Sequence, residues 1–140
     1  MRKNDDIWTL PPFPNDLGVA LTDCKPEQVC GALTVTAKMA NRNGVMHGGA
    51  LMSFADTLGG VASTLNLAGN DSTTTLESKT NFIRPIAIGE RITGRCVPLH
   101  VGRKTMVWQI TISRQDGKPA AVTTQTQLTV EWRAPPDTAR

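Results

Sequence analysis

From Gly48 to Asn70 the chain carries a single charged side chain, Asp56. Within that stretch Leu51, Phe54, Leu58, Val61 and Leu65 recur at three- and four-residue steps, the period of one helix face. Ser53, Asp56, Gly60 and Ser63 fall on the other side. A surface helix would carry Lys, Glu or Arg on its outer face. This one does not, so it is expected to be wrapped on nearly all sides. A lone carboxylate there costs several kcal/mol to desolvate unless it is paired or hydrogen-bonded. Asp56 is therefore either satisfied by a neighbour, such as a backbone amide or the Thr57 hydroxyl, or kept for chemistry. The helix start favours chemistry. Gly48 and Gly49 allow close approach to the backbone. The first N–H groups of a helix lack partners and lie at its positive end, where a carbonyl oxygen gaining negative charge is stabilised. An oxyanion donor and a carboxylate on one helix point to acyl transfer or hydrolysis.

The flanking sequence reads as strands. Gly18–Cys24 and Val29–Met39 form a hairpin across the Lys25-Pro26-Glu27 turn, the second strand alternating Val29, Gly31, Leu33, Val35, Ala37 and Met39. After the helix, Thr73–Ile83 is β-branched, with Leu76, Ser78, Thr80 and Phe82 on one face. Arg91–Val101 contains Pro98, which implies a bulge or an edge. Thr105–Arg114 places Met106, Trp108, Ile110 and Ile112 on one face, and Gln115-Asp116-Gly117-Lys118 signals a hairpin. Ala120–Trp132 alternates Ala120, Val122, Thr124, Thr126, Leu128 and Val130. The charge-poor Thr123–Gln127 run is then expected on the outer sheet face, where it suits a second subunit. Five or six strands and one wrapped helix imply an α+β fold, a twisted antiparallel sheet curled around the helix. Residues 1–16 form an N-terminal arm in which Pro11, Pro12 and Pro14 exclude a helix and Trp8 and Phe13 pin it to the body. The domain is expected over 17–132, and 133–140 is a frayed tail.

The segment Asn41-x-x-Gly44-x-x-His47-Gly48-Gly49, with Ala55-Asp56 and Gly59-Gly60, resembles the hotdog-fold acyl-CoA thioesterases, in particular the PaaI-like group named for phenylacetic acid degradation. The resemblance extends through Leu17-Gly18-Val19, Thr75–Pro85 with its Asn-Phe-Ile-Arg-Pro ending, Val101–Lys104 and the Asp116-Gly117-Lys118 turn. It implies a hotdog fold and hydrolysis of an acyl- or aryl-CoA to the free acid and coenzyme A. Asp56 matches the family carboxylate, either general base or nucleophile. Gly48 matches the backbone donor to the thioester oxygen. Asn41 matches a residue that positions water or substrate, or else fixes its own turn. His47 braces the loop and contacts substrate, with Gly49 beside it. Thr75 matches a hydroxyl that assists water in some relatives, or is a structural strand threonine. Gly60 stands where some branches carry Ser or Thr. Arg84, Arg103 and Lys104, with His100 and Gly102 near them, are the candidates for gripping the CoA phosphates.

The net charge of +3 and the absence of a basic run interleaved with aromatics argue against nucleic acid. No stretch reaches membrane-spanning length. The histidines and cysteines lie at no metal-ligand spacing, and no Gly-rich nucleotide fingerprint follows a strand, so no metal or resident cofactor is expected. Three cysteines and a polar start point to a reducing cytoplasm. Gly48 and Asp56, eight residues apart on one helix, are separated by about 12 Å along its axis. They cannot serve one thioester from one chain, whereas an antiparallel partner helix brings Gly48 of one protomer opposite Asp56 of the other. A dimer at least, with sites at its interface, is expected from this geometry, and the resemblance implies a homodimer or homotetramer. Alternatives are an enoyl-thioester hydratase or dehydratase recruiting His47, and a non-catalytic acyl-CoA sensor, for which the chain shows no DNA-binding segment.

Overall fold

The computed structural model describes residues 6–134. The start of the expected arm and the tail from 135 onward lie outside the described residues. The order is α1 (Pro12–Leu17), β1 (Ala20–Lys25), β2 (Gln28–Thr34), a 3₁₀ turn (Ala37–Met39), α2 (Gly48–Leu65), β3 (Asp71–Phe82), β4 (Arg91–Val101), β5 (Thr105–Ser113) and β6 (Pro119–Glu131). The six strands form one antiparallel sheet in the order β1-β2-β4-β5-β6-β3, and α2 packs against its concave face. This is the hotdog arrangement expected from periodicity and resemblance.

Phe54, Ala55, Leu58 and Ala62 of α2 are fully buried against Leu33, Ile92, Trp108, Ile110 and Ile112 of the sheet. Each large side chain so buried contributes about 1.5–3 kcal/mol. Gly31 and Gly94 face one another across β2 and β4 and leave a dent for the helix. A Cβ on Gly94 would stand 2.5 Å from Leu58 Cδ1, and one on Gly31 2.9 Å from Leu58 Cδ2. Trp108 Nε1 donates to Ser63 Oγ at 2.7 Å, satisfying two polar atoms in the core.

Pro98 sits at the bulge between Pro98 and His100. It also lies beyond the last β2 partner of β4, Cys96, so on that side β4 is a local edge and no ladder donor is missed.

Several expectations are corrected. The prolines do not exclude a helix: Pro11 caps α1 and Pro12 and Pro14 occupy its first turn, where no N–H has an intrahelical acceptor. The helix crosses the expected 16/17 boundary and ends at Gly18, whose φ of 93° is the left-handed cap. Leu17-Gly18-Val19 is therefore a helix end, and the first strand starts at Ala20. Trp8 and Phe13 do not pin the arm, being 52% and 66% exposed; Ile7, Leu10, Pro14 and Leu17 do the packing. In α1, Pro14 and Leu17 are three residues apart and share the inward face. The second strand ends at Thr34, and Met39 is buried from a 3₁₀ turn instead. In β3 a bulge between Thr75 and Glu77 leaves Leu76 unpaired and 58% exposed, out of line with the residues that follow.

The largest correction concerns β6. Its inward residues are Thr123, Gln125 and Gln127, at 0%, 0% and 1% exposure, and the outer face carries Val122, Thr124, Thr126 and Leu128. The polar residues go inward because hydroxyls on β3 and the backbone of α2 satisfy them. Ser78 Oγ donates to Gln125 Oε1 at 2.9 Å, and Gln125 Nε2 donates to the Asp56 carbonyl at 3.4 Å.

Candidate active site

The loop before α2 is built by Asn41. Its Oδ1 accepts from the Asn43 N–H at 2.9 Å and the Val45 N–H at 3.3 Å, closing a turn in which Gly44 adopts a φ of 73°. The turn delivers His47 to the N-cap of α2. There Nδ1 accepts from the Gly49 N–H at 2.8 Å. That ring nitrogen is committed as an acceptor, so a neutral His47 carries its proton on Nε2. The Gly49 N–H is likewise taken, so Gly49, expected among the substrate contacts, has no free donor. The Gly48 N–H meets no acceptor among the described residues and lies at the positive end of the 18-residue helix. A cavity of about 380 Å³ opens beside it, lined by Asn41, Gly48, Phe82, Arg84 and Pro85 among others. A Cβ on Gly48 would touch the Phe82 ring at 3.0 Å, so glycine keeps this wall open.

Asp56 lies two turns further along. Contrary to the expectation of a helix wrapped on nearly all sides, it is exposed in the single chain. One sheet covers one side of a helix, and α1 covers only part of the rest. The Asp56 face borders a second cavity of about 300 Å³, with Leu10, Pro11 and Phe13 of the arm, Val61, and the hydroxyls of Thr57 and Thr64 on its walls. The Thr75 hydroxyl donates to Asp56 Oδ1 at 2.8 Å, while Oδ2 accepts nothing from the described residues. Gly59 faces inward, where a Cβ would overlap the Gln125 amide; Gly60 faces the cavity with open space around it.

Asp56 and Thr75 are thus brought together, as are Asn41, His47, Gly48 and Gly49 at the helix start. Asp56 borders one cavity, and Asn41 and Gly48 border the other. The cationic candidates are split as well. The Arg84 backbone is tied to Ala120 and its Nη1 donates to the Pro119 carbonyl at 2.6 Å, at the Gly48 end of the sheet. Arg103 and Lys104 lie at the β4–β5 tip, where the Lys104 carbonyl accepts from Thr129. Ala120 and Thr129 are nine residues apart on β6, about 30 Å at strand rise. The two sets of cations therefore stand at opposite ends of β6.

Sequence reading missed Gln125, Gln127, Thr73 and Ser78, which lie beneath Asp56. Gln127 Nε2 donates to Thr75 Oγ1 at 2.7 Å, and Thr73 Oγ1 donates to Gln127 Oε1 at 2.9 Å. The signal available was the absence of charge in Thr123–Gln127.

The family model of the thioesterase superfamily matches residues 43–121. Among solved structures, a mutant form of the thioesterase PA1618 of Pseudomonas aeruginosa is similar with a TM-score of 0.81 and 26% identity, over 91% of this chain and all of that one. The Escherichia coli PaaI protein of the phenylacetic acid degradation operon is similar with a TM-score of 0.78 and 27% identity, over 84% and 83% of the two chains. The 1,4-dihydroxy-2-naphthoyl-CoA hydrolase of Escherichia coli is 39% identical over 75 residues, 54% of each chain. Fold, motif and relatives agree: this chain belongs to the thioesterase superfamily as a PaaI-like hotdog protein and is a thioester hydrolase.

Proposed function

We propose that the protein hydrolyses an acyl- or aryl-CoA to the free acid and coenzyme A at sites shared between two protomers. The observation that carries this reading is the Asp56 carboxylate. It is held through one oxygen by Thr75, open at the other, and bordered by a largely apolar cavity on the helix whose first N–H groups include the unpaired Gly48 donor. An apolar cavity suits an acyl group, the free N–H suits the thioester oxygen, and the free carboxylate oxygen either takes a proton from water or attacks the carbonyl. Two of the named relatives are a thioesterase and a 1,4-dihydroxy-2-naphthoyl-CoA hydrolase, which supports CoA thioesters and brings aryl groups into the range to be tried.

The shared site follows from the separation of Gly48 and Asp56 by about 12 Å along α2 and from their bordering different cavities. β3, which carries Thr75, is a free sheet edge with Leu76 and Phe82 exposed. A partner meeting that edge reaches the Asp56 cavity. A homodimer is the smallest assembly that completes the site, and two such dimers make a tetramer. The phosphates of the substrate would find Arg84 from one protomer and Arg103 and Lys104 from the other.

The test is thiol release from a panel of short, medium, long and aromatic acyl-CoAs. Turnover above background on at least one class is expected; none on any class sinks the reading. Asp56→Asn should fold normally and lower kcat by about a hundredfold or more. Consumption of crotonyl-CoA without thiol release would indicate hydration instead. That alternative draws little from His47, whose Nδ1 is committed to the helix cap. Tight acyl-CoA binding with no turnover would indicate a sensor.

A further inference from the structure

Burying an amide without partners is costly, yet two glutamines are buried beneath Asp56. Gln125 ties the Asp56 backbone carbonyl to Ser78. Gln127 is joined to the carboxylate itself. The Thr73 hydroxyl donates to Gln127 Oε1 at 2.9 Å, Gln127 Nε2 donates to Thr75 Oγ1 at 2.7 Å, and the Thr75 hydroxyl donates to Asp56 Oδ1 at 2.8 Å. Every hydrogen in this chain points towards Asp56.

The direction follows from valence. A hydroxyl has one hydrogen. Because Gln127 fills an acceptor position on Thr75, the Thr75 hydrogen is turned away from Gln127 and onto Asp56. The ionised carboxylate can only accept, so it draws the Thr75 hydrogen; Gln127 then presents Nε2 to Thr75, and its Oε1 is left to accept the Thr73 hydrogen. The reverse amide orientation would place an oxygen against Thr75, attract its hydrogen, and leave Asp56 Oδ1 without a donor. The β3–β6 register sets the reach: Thr75 lies directly opposite Gln127, and Thr73 is two residues along. Bonds aligned in one sense polarise each other.

We propose that Gln127, anchored by Thr73, is a positioning residue that locks the Thr75 hydroxyl as a donor to Asp56 and leaves Oδ2 as the one oxygen that meets water or thioester. This rests on the reading of Asp56 as the reactive carboxylate.

The test is a double-mutant cycle in kcat. Gln127→Met keeps the length of the side chain and removes both hydrogen bonds. It should lower kcat about tenfold, the worth of one well-placed hydrogen bond, with KM unchanged. In the Thr75→Val background, where there is no hydroxyl to orient, the same change should cost nothing further. In the Thr75→Ser background the tenfold loss should return. A glutamine that only fills space would give the same factor in all three backgrounds, and that result overturns the proposal. Should Gln127→Met fail to fold, Thr73→Val keeps Gln127 but removes the hydrogen bond that anchors its amide; it should lower kcat several-fold in wild type and not in Thr75→Val. Unchanged kcat for either folded variant overturns the inference while leaving Asp56 untouched. Full activity of Asp56→Asn, or an inactive wild type, overturns the reading of the site instead. In that event the orientation is still read by NMR. The Gln127 side-chain amide should exchange slowly in wild type and faster in Thr75→Val; equal rates overturn it.

Discussion

Asp56 is anchored through Oδ1 and, among the described residues, has no partner at Oδ2, so what it does depends on what approaches from the cavity. The cysteines are the opposite case. Burial pushes the Cys96 thiol up to about 12 and, with help from neighbouring Asp23, the Cys24 thiol up to about 11; Cys30 is raised as well, again mainly by burial. All three therefore resist ionising in the folded chain, and none is a ready nucleophile near neutral pH. The linkage has a definite sign. Above the ordinary thiol value near 9, the unfolded chain loses protons that the folded chain keeps, so stability falls as pH rises. Denaturant midpoints should decline between pH 9 and 12. Cys96→Ala should lower stability at pH 7 by leaving a small cavity, yet flatten that alkaline decline. An unchanged slope would remove Cys96 from the effect.

At the scale of elements, neighbouring glycines have opposite uses, and substitution separates them. A Cβ on Gly94 would press on Leu58, Ile112 and Phe54, all buried. Gly94→Ala should therefore cost about 1–3 kcal/mol by overpacking, although alanine is the better residue for an ordered backbone. Gly59 and Gly60 are adjacent on α2. Gly59→Ala should destabilise because the buried Gln125 amide stands in the way. Gly60→Ala meets open space and should stabilise the helix by about 0.5–1 kcal/mol. Its methyl group would intrude on the cavity beside Asp56, so turnover of bulky acyl groups should fall more than that of short ones. Urea titrations check the stabilities, and the acyl-CoA panel checks the selectivity. Equal losses for short and bulky substrates would mean that Gly60 does not border the acyl group.

At the scale of the whole molecule, the proposed shared site makes a prediction that no single-chain site can imitate. Gly48→Pro deletes the N–H at a first-turn position whose backbone suits proline, and its Cβ presses on the Phe82 ring of the same half-site. Asp56→Asn removes the carboxylate. Each homodimer should be inactive. In a mixed dimer one site carries both lesions and the other carries neither, so co-expression should restore up to half the activity per mixed dimer. Subunit exchange is verified by affinity tags on the two variants. A tagged mixed dimer that stays inactive would show that each site is built from one chain. The outer sheet face, with Val122, Thr124, Thr126 and Leu128 uncharged and half-buried, is a second surface on which dimers could associate. Among the described residues no helix is long and apolar enough to cross a membrane.

What the sequence determined by itself is what depends on neighbours in the chain. The apolar stripe of α2, the turn that Asn41 fixes, the Asp116-Gly117 turn and the buried face of β5 all follow from spacing and local chemistry, and the structure has them. The HGG-to-Asp56 spacing, through the resemblance it carries, also pointed to the helix that bears the candidate site. What only the tertiary structure decided is which polar groups find partners. Alternation in β6 was legible, but polarity alone assigns Gln125 and Gln127 to solvent. They point inward because β3, some fifty residues earlier, lies alongside with hydroxyls at Thr73, Thr75 and Ser78. The proline-rich arm closes into a helix because its prolines fall on first-turn positions, where a missing N–H costs nothing and docking on α2 adds apolar contact. Asp56 is open because one sheet can cover only one side of a helix. Local rules settle conformation; burial of a polar atom is settled by distant segments that supply its hydrogen bond.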